Sequence, residues 1–231
     1  MTAAALLLLA DGRLPSGAHA HSGGLEPIAG LGLIRTLADI ESFLRGRLHT
    51  SALVTATLAA AAAGASAPVV APTWDVRGAD AGAELERLDH EADARMPSPT
   101  ARTASRTQGR QLLRSARTVW PSPLYDALPR RPHHPIVLGM AATAAGLTPA
   151  DAALAAAHGS VTGSASAAVR LLSLDPIAVH ALLARFAPEV DAVATAATAA
   201  AERGEIPAPA APLLELAAED HATWEVRLFA S

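Results

Sequence analysis

Helix-starting signals recur along this chain at intervals that leave room for one helix after another and for little else. Thr148-Pro149-Ala150-Asp151 and Asp175-Pro176 each set a capping side chain before a proline at the first helical position, where the missing N–H is not needed. Thr36 and Asp39 open another helix, with Ile40, Phe43, Leu44 and Leu48 following at helical spacing. Gly146 suits the end of the segment that precedes it. The pattern predicts helices over residues 23–33, 36–63, 80–95, 100–119, 134–145, 148–172, 175–203 and 210–225, after a short apolar segment over 1–10. Residues 64–77 and 121–135 read as connections rich in breakers. No segment alternates with a period of two, and no internal repeat is present. About a quarter of the residues are Ala and only 3% are aromatic, which favours helix, because Ala loses no side-chain entropy there. The expected fold is all-α: a single-domain helical bundle of roughly eight to ten helices.

Several function classes drop out early. There is no cysteine, so no disulfide scaffold, thiol nucleophile or Cys-ligated metal site is available. All 18 basic residues are Arg, and the net charge of −4 argues against a general nucleic-acid binder. The apolar run after Met1 has no positive charge before it and meets Asp11 and Arg13 at once, unlike a secretory signal. Residues 52–63 are too short and too broken by Thr to cross a bilayer. A cytoplasmic protein without membrane contact is expected. The segment Gly159-Ser160-Val161-Thr162-Gly163 does not follow a strand and no Lys exists for a phosphate loop, so its glycines read as places of close helix approach. No Ser has the strand-to-helix elbow of a hydrolase nucleophile.

Three features remain. His19 and His21 share one loop and His133-His134 another; a loop pair at i, i+2 can reach one metal, but no third ligand is evident. Arg102, Arg106, Arg110 and Arg114 recur every fourth residue and stand in line on a helix, with Arg117 extending the row. Such a row needs acidic compensation. Either Glu84, Glu86, Asp89, Glu91 and Asp93 supply it across a helix hairpin, or an acidic protein surface does. Finally, Trp224, Val226, Leu228 and Phe229 crowd the last residues, where chains are usually polar and frayed. Docking onto another protein is the expectation, since little chain remains to fold back.

Four segments together resemble the urease accessory protein F family (UreF). They are Leu14-Pro15-Ser16-Gly17-Ala18-His19-Ala20-His21-Ser22-Gly23-Gly24-Leu25-Glu26, Ser105-Arg106-Thr107-Gln108-Gly109-Arg110, Ala167-Ala168-Val169-Arg170-Leu171-Leu172, and Arg227-Leu228-Phe229-Ala230-Ser231. Their order and spacing extend the resemblance over nearly the whole chain. It implies an all-helical homodimer that is not itself an enzyme and carries no cofactor. It also implies a scaffold in nickel insertion into apo-urease, bridging the accessory protein D/H and the GTPase G and acting on that GTPase. Residues 1–22 become an N-terminal segment with its signature loop, and 226–231 a docking tail, of one domain over 1–231. Pro15, Gly17, His19, His21, Ser22 and Glu26 are the signature positions; Arg106, Arg110, Arg170, Arg227, Leu228 and Phe229 are the candidates for partner contact. His19 stands where the family usually has an aromatic ring, so a role needing that ring does not transfer. The competing reading is a histidine-based nickel carrier or metalloenzyme using His19, His21 and a further His.

Overall fold

The computed structural model describes residues 3–65 and 78–231; most of the 64–77 connection expected from sequence lies outside them. The described residues are all-α, with no strand. In chain order the helices are α1 (Ala3–Leu9), α2 (Leu25–Gly30), α3 (Leu37–Arg47), α4 (Leu53–Ala65), α5 (Gly78–Ala94), α6 (Pro99–Val119), α7 (His134–Ala144), α8 (Pro149–Leu172), α9 (Pro176–Glu202) and α10 (Pro212–Ala222).

The capping signals act where the sequence places them. Thr36 and Asp39 form a reciprocal box at the start of α3, and Thr148 and Asp151 do the same for α8. Asp175 accepts the N–H groups of Ile177 and Ala178 to start α9. Gly146, at φ 73°, closes α7 in the left-handed conformation that a side chain rarely adopts. One expected helix, over 36–63, is interrupted: a π-helical turn at Leu48–Ala52 joins α3 to α4. The Thr50 hydroxyl there donates to the Gly46 carbonyl at 2.8 Å, a local bond that competes with the regular ladder.

α4 is the centre of the molecule and packs against α7, α8 and α9. The helical stretch Leu37–Ala65 is long and apolar enough, by length and composition, to cross a membrane. That corrects the expectation that no such stretch exists. Its second half is instead enclosed by protein: Val54, Ala56, Leu58, Ala59, Ala60, Ala62 and Ala63 are all buried. A helix apolar all round is what a core position requires.

The small residues decide how near the backbones come. A Cβ on Gly139 of α7 would lie 2.8 Å from Ala62 Cβ and 2.9 Å from Ala63 N, and closer still to the Ala59 carbonyl. Because those neighbours are backbone and Cβ atoms, they cannot swing away. Gly139→Ala should therefore cost about 1–3 kcal/mol in denaturant unfolding, as overpacking of a filled core does. A stability equal to that of the parent chain would show that α7 can retreat freely from α4.

Candidate functional site

The loop before α2 and the end of the chain, some two hundred residues apart in sequence, meet on one side of α6 and α8. The loop is tight because its glycines allow it: Gly17, Gly23 and Gly24 have φ of 77°, 66° and 88°. A Cβ on Gly17 would run into the amide of Gln111, so α6 reaches the loop only past a glycine. The Ser115 hydroxyl donates to the Pro15 carbonyl at 2.6 Å, and Ser164 on α8 donates to the Ser22 carbonyl at 3.1 Å. Arg47 donates to the Gly23 carbonyl at 2.6 Å from beneath; burial lowers its guanidinium to about 10. The Ser22 hydroxyl accepts the Glu26 N–H at 3.2 Å, just before α2 begins at Leu25.

The tail lies in this loop. The Ala230 N–H donates to the Ala20 carbonyl at 2.7 Å, and the Ser231 carbonyl accepts from the Ser22 N–H at 2.6 Å and its hydroxyl at 3.0 Å. His21 Nδ1 and the Ser231 hydroxyl are 2.7 Å apart. Glu26, only 7% exposed, accepts the N–H groups of Leu228 at 2.7 Å and Phe229 at 2.9 Å. The Nε2–H of buried His221 donates to the same carboxylate at 2.9 Å. Arg170 donates to the His19 carbonyl at 3.2 Å and lies 4.5 Å over the Phe229 ring.

This arrangement corrects the expectation that too little chain remains to fold back. Phe229 is 4% exposed and part of this chain's own core, so it anchors the tail and offers no free ring to a partner. Trp224 also packs inward, its ring against Gly30 and its indole N–H donating to Asp220 at 3.0 Å. What faces outward is Val226 at 87% and Leu228 at 52% exposure, with exposed Arg227 between them. Arg227 also lines a groove of about 350 Å³ with His21, Pro99, Thr100, Thr103 and Ala230.

The arginine row divides. Arg106 donates to Asp89 at 2.9 Å and Asp93 at 2.7 Å, and also to the Arg131 carbonyl, so it is compensated across the α5–α6 hairpin. Arg102 turns to the Met96 and Pro97 carbonyls at 2.6 and 2.9 Å, and Arg117 to Asp126 at 3.2 Å. Arg110 stays exposed, bonded only to Thr107 at 3.2 Å among the bonds resolved for it. Ser105 and Gly109 of this motif serve the turn before α7. Ser105 meets His133 Nδ1 at 2.9 Å, and a Cβ on Gly109 would strike the Pro132 carbonyl.

Among the described residues, Asp89, Asp93 and His133 are close enough to share a metal, and His19 and His21 belong to no such group. The Arg106 guanidinium already supplies the positive charge between those carboxylates, and every carboxylate oxygen there accepts a protein donor. Burial pushes Asp93 up, but the bonds from His133 and Arg106 outweigh it and hold the carboxyl below its ordinary value. Burial lowers His133 despite its bond to Asp93, and lowers His21, which His19 repels further.

Nothing in the neighbouring residues singles out His221, Ser164 or Arg47. Their partners lie in other helices or in the loop, and no local pattern marks them.

Two outcomes follow. Arg106→Ala strands the almost fully buried Asp89 and should cost about 3 kcal/mol in denaturant unfolding. A neutral effect would mean that the hairpin pairing contributes nothing. His134, held at about 4 by burial and the charge of His21, stays neutral where an unfolded histidine of ordinary value 6.5 binds a proton. The unfolded state then binds more protons, so stability falls as pH drops from about 6.5 to about 4. His134→Gln should flatten that slope in melts across the range; an unchanged slope would assign the acid sensitivity elsewhere.

The UreF family model matches residues 34–187 of this chain. The chain is 45% identical to the urease accessory protein UreF of Mycolicibacterium vanbaalenii over 228 residues, covering 99% of this chain and 98% of that protein. It is 46% identical to the protein of that name from Mycobacterium sp. strain JLS, over 100% of this chain and 99% of the relative. With the Mycobacterium marinum protein of the same name the identity is 44%, over 100% and 99%.

Proposed function

This chain belongs to the UreF family of urease accessory proteins, and from that premise we propose that it is a non-catalytic scaffold in urease maturation. In this reading it works in the cytoplasm, bridges the accessory protein D/H and the GTPase G, and modulates GTP-dependent nickel insertion into apo-urease. The observation that carries the reading is the tail: two exposed aliphatic side chains flank an arginine on a segment anchored at Leu228, Ala230 and Ser231. Residues left to solvent at such a position cost free energy that a partner surface can recover. Burying one Leu recovers roughly 1.5–3 kcal/mol, and an arginine adds a bidentate bond to a carboxylate. Leu228 and Arg227 therefore make the contact with D/H, while Arg110, exposed on α6, is left for a second partner.

Assembly as a homodimer belongs to the same proposal. On α8, Gly159 and Gly163 are exposed, and a Cβ on either would meet nothing within 4 Å. A face built for close approach is thus open in the single chain, and a second copy fills it.

Truncating the tail is a poor test, because it removes buried Phe229 and strands Glu26. Arg227→Glu combined with Leu228→Asp changes only exposed atoms and should leave melting and a dimer mass in light scattering nearly unchanged. The same variant should weaken binding to D/H at least tenfold, the equivalent of about 1.4 kcal/mol. Binding at the parent strength would refute the tail as the D/H contact.

A further inference from the structure

We propose that Glu26 is the positioning residue of the docking tail: its buried carboxylate holds the Leu228 and Phe229 amides and so sets how Val226, Arg227 and Leu228 face outward. The inference rests on the docking reading above and deepens it, naming what turns a chain end into a fixed surface.

A terminal segment with exposed side chains frays unless its backbone is held. Here the hold on the Leu228 and Phe229 amides is one side chain, 202 and 203 residues away in sequence. One Glu26 oxygen accepts the Leu228 N–H, and the other accepts both the Phe229 N–H and His221 Nε2–H. Two adjacent amide N–H groups converging on one carboxylate fix the peptide plane between them, and with it the direction of the Leu228 side chain. Among the described residues Glu26 has no guanidinium partner; its salt bridge is to His221. The negative charge is held by N–H dipoles and one imidazole, so the bonds to the tail are charge-assisted. A carboxamide of the same shape has one acceptor oxygen and an NH2 whose hydrogens would confront an amide N–H or the imidazole. Glu26 is itself fixed, because its N–H donates to the Ser22 hydroxyl, which in turn donates to the Ser231 carbonyl. The same turn therefore grips the tail at Leu228 and Phe229 and again at Ser231, just after the outward-facing Val226 and Arg227. The partner surface this presentation fits has an apolar recess for Leu228 and Val226 beside a carboxylate for Arg227.

The test compares Glu26→Gln in the otherwise unchanged full chain and in the chain that carries Arg227→Glu and Leu228→Asp, with D/H as the binding partner. In the full chain, hydrogen exchange at the Leu228 and Phe229 amides should rise at least tenfold, while core amides on α4 keep their rates. Affinity for D/H should fall at least tenfold. In the Arg227→Glu, Leu228→Asp chain Glu26→Gln should change affinity no further, because its effect passes through those two side chains. Unchanged exchange at those two amides, unchanged affinity, or an equal loss in both backgrounds each overturns the proposal. If Arg227→Glu with Leu228→Asp alone leaves affinity at the parent level, the docking reading falls and takes this inference with it. If that pair weakens binding and Glu26→Gln does not, only this inference falls. Glu26→Asp, which keeps the charge but withdraws the oxygens by one methylene, gives the same readouts should the Gln variant not fold.

Discussion

The enclosure of α4 by three neighbours depends on side chains that are hardly there. With Ala and Gly at the contacts, α7 meets α4 backbone against methyl group, and the core gains by close approach what it lacks in large side chains. Close packing of this kind leaves few ways to adjust, so the positions of α6 and α8 follow from it. Those two helices form the bed on which the N-terminal loop and the tail lie. Gly17 against Gln111, Gly23 against Ser164 and Gly109 against the Pro132 carbonyl repeat the device at the periphery, each admitting a neighbour to a place a side chain would fill.

On this frame the chain meets the cost of burying a carboxylate in two ways. Asp89 is matched by a full cation, the Arg106 guanidinium, in a network with Asp93 and His133 that ties α5, α6 and the start of α7 together. Glu26 is matched by two backbone N–H groups and an imidazole. The first arrangement locks helices that belong to the core. The second holds a short terminal segment by that segment's own N–H groups, with the His221 imidazole of α10 beside them. Of the residues expected to meet a partner, Phe229 and Arg106 are spent within the chain, whereas Arg227 and Leu228, with Val226 beside them, stay exposed.

Family membership agrees with this division between structural and presented residues. Motifs that mark the family are here largely engaged in holding the fold: Ser105 and Gly109 cradle the turn before α7, and Ser22 and Glu26 hold the tail. Among the residues expected to meet partners, exposure separates Arg110, Arg227 and Leu228 from Arg106 and Phe229.

The helices and their starts were legible in the residues because capping is local: Thr148 and Asp151, or Asp175 and Pro176, act within one turn of each other. The absence of thiol chemistry and the all-α class were determined at the same level. Less was legible where a partner lies far along the chain. The arginine row could pair with the acidic helix or with another protein, and only the crossing of α5 and α6 decided for Arg106. The tail read as too short to fold back, yet five residues suffice once Ala20, Ser22 and Glu26 stand ready to accept and donate. His221 carried no signal until α10 brought it to Glu26, 195 residues away. Local backbone chemistry is written in neighbouring residues and can be read from them. The compensation of a buried charge depends on which groups the packed helices bring within 3 Å, and that only the tertiary structure decides.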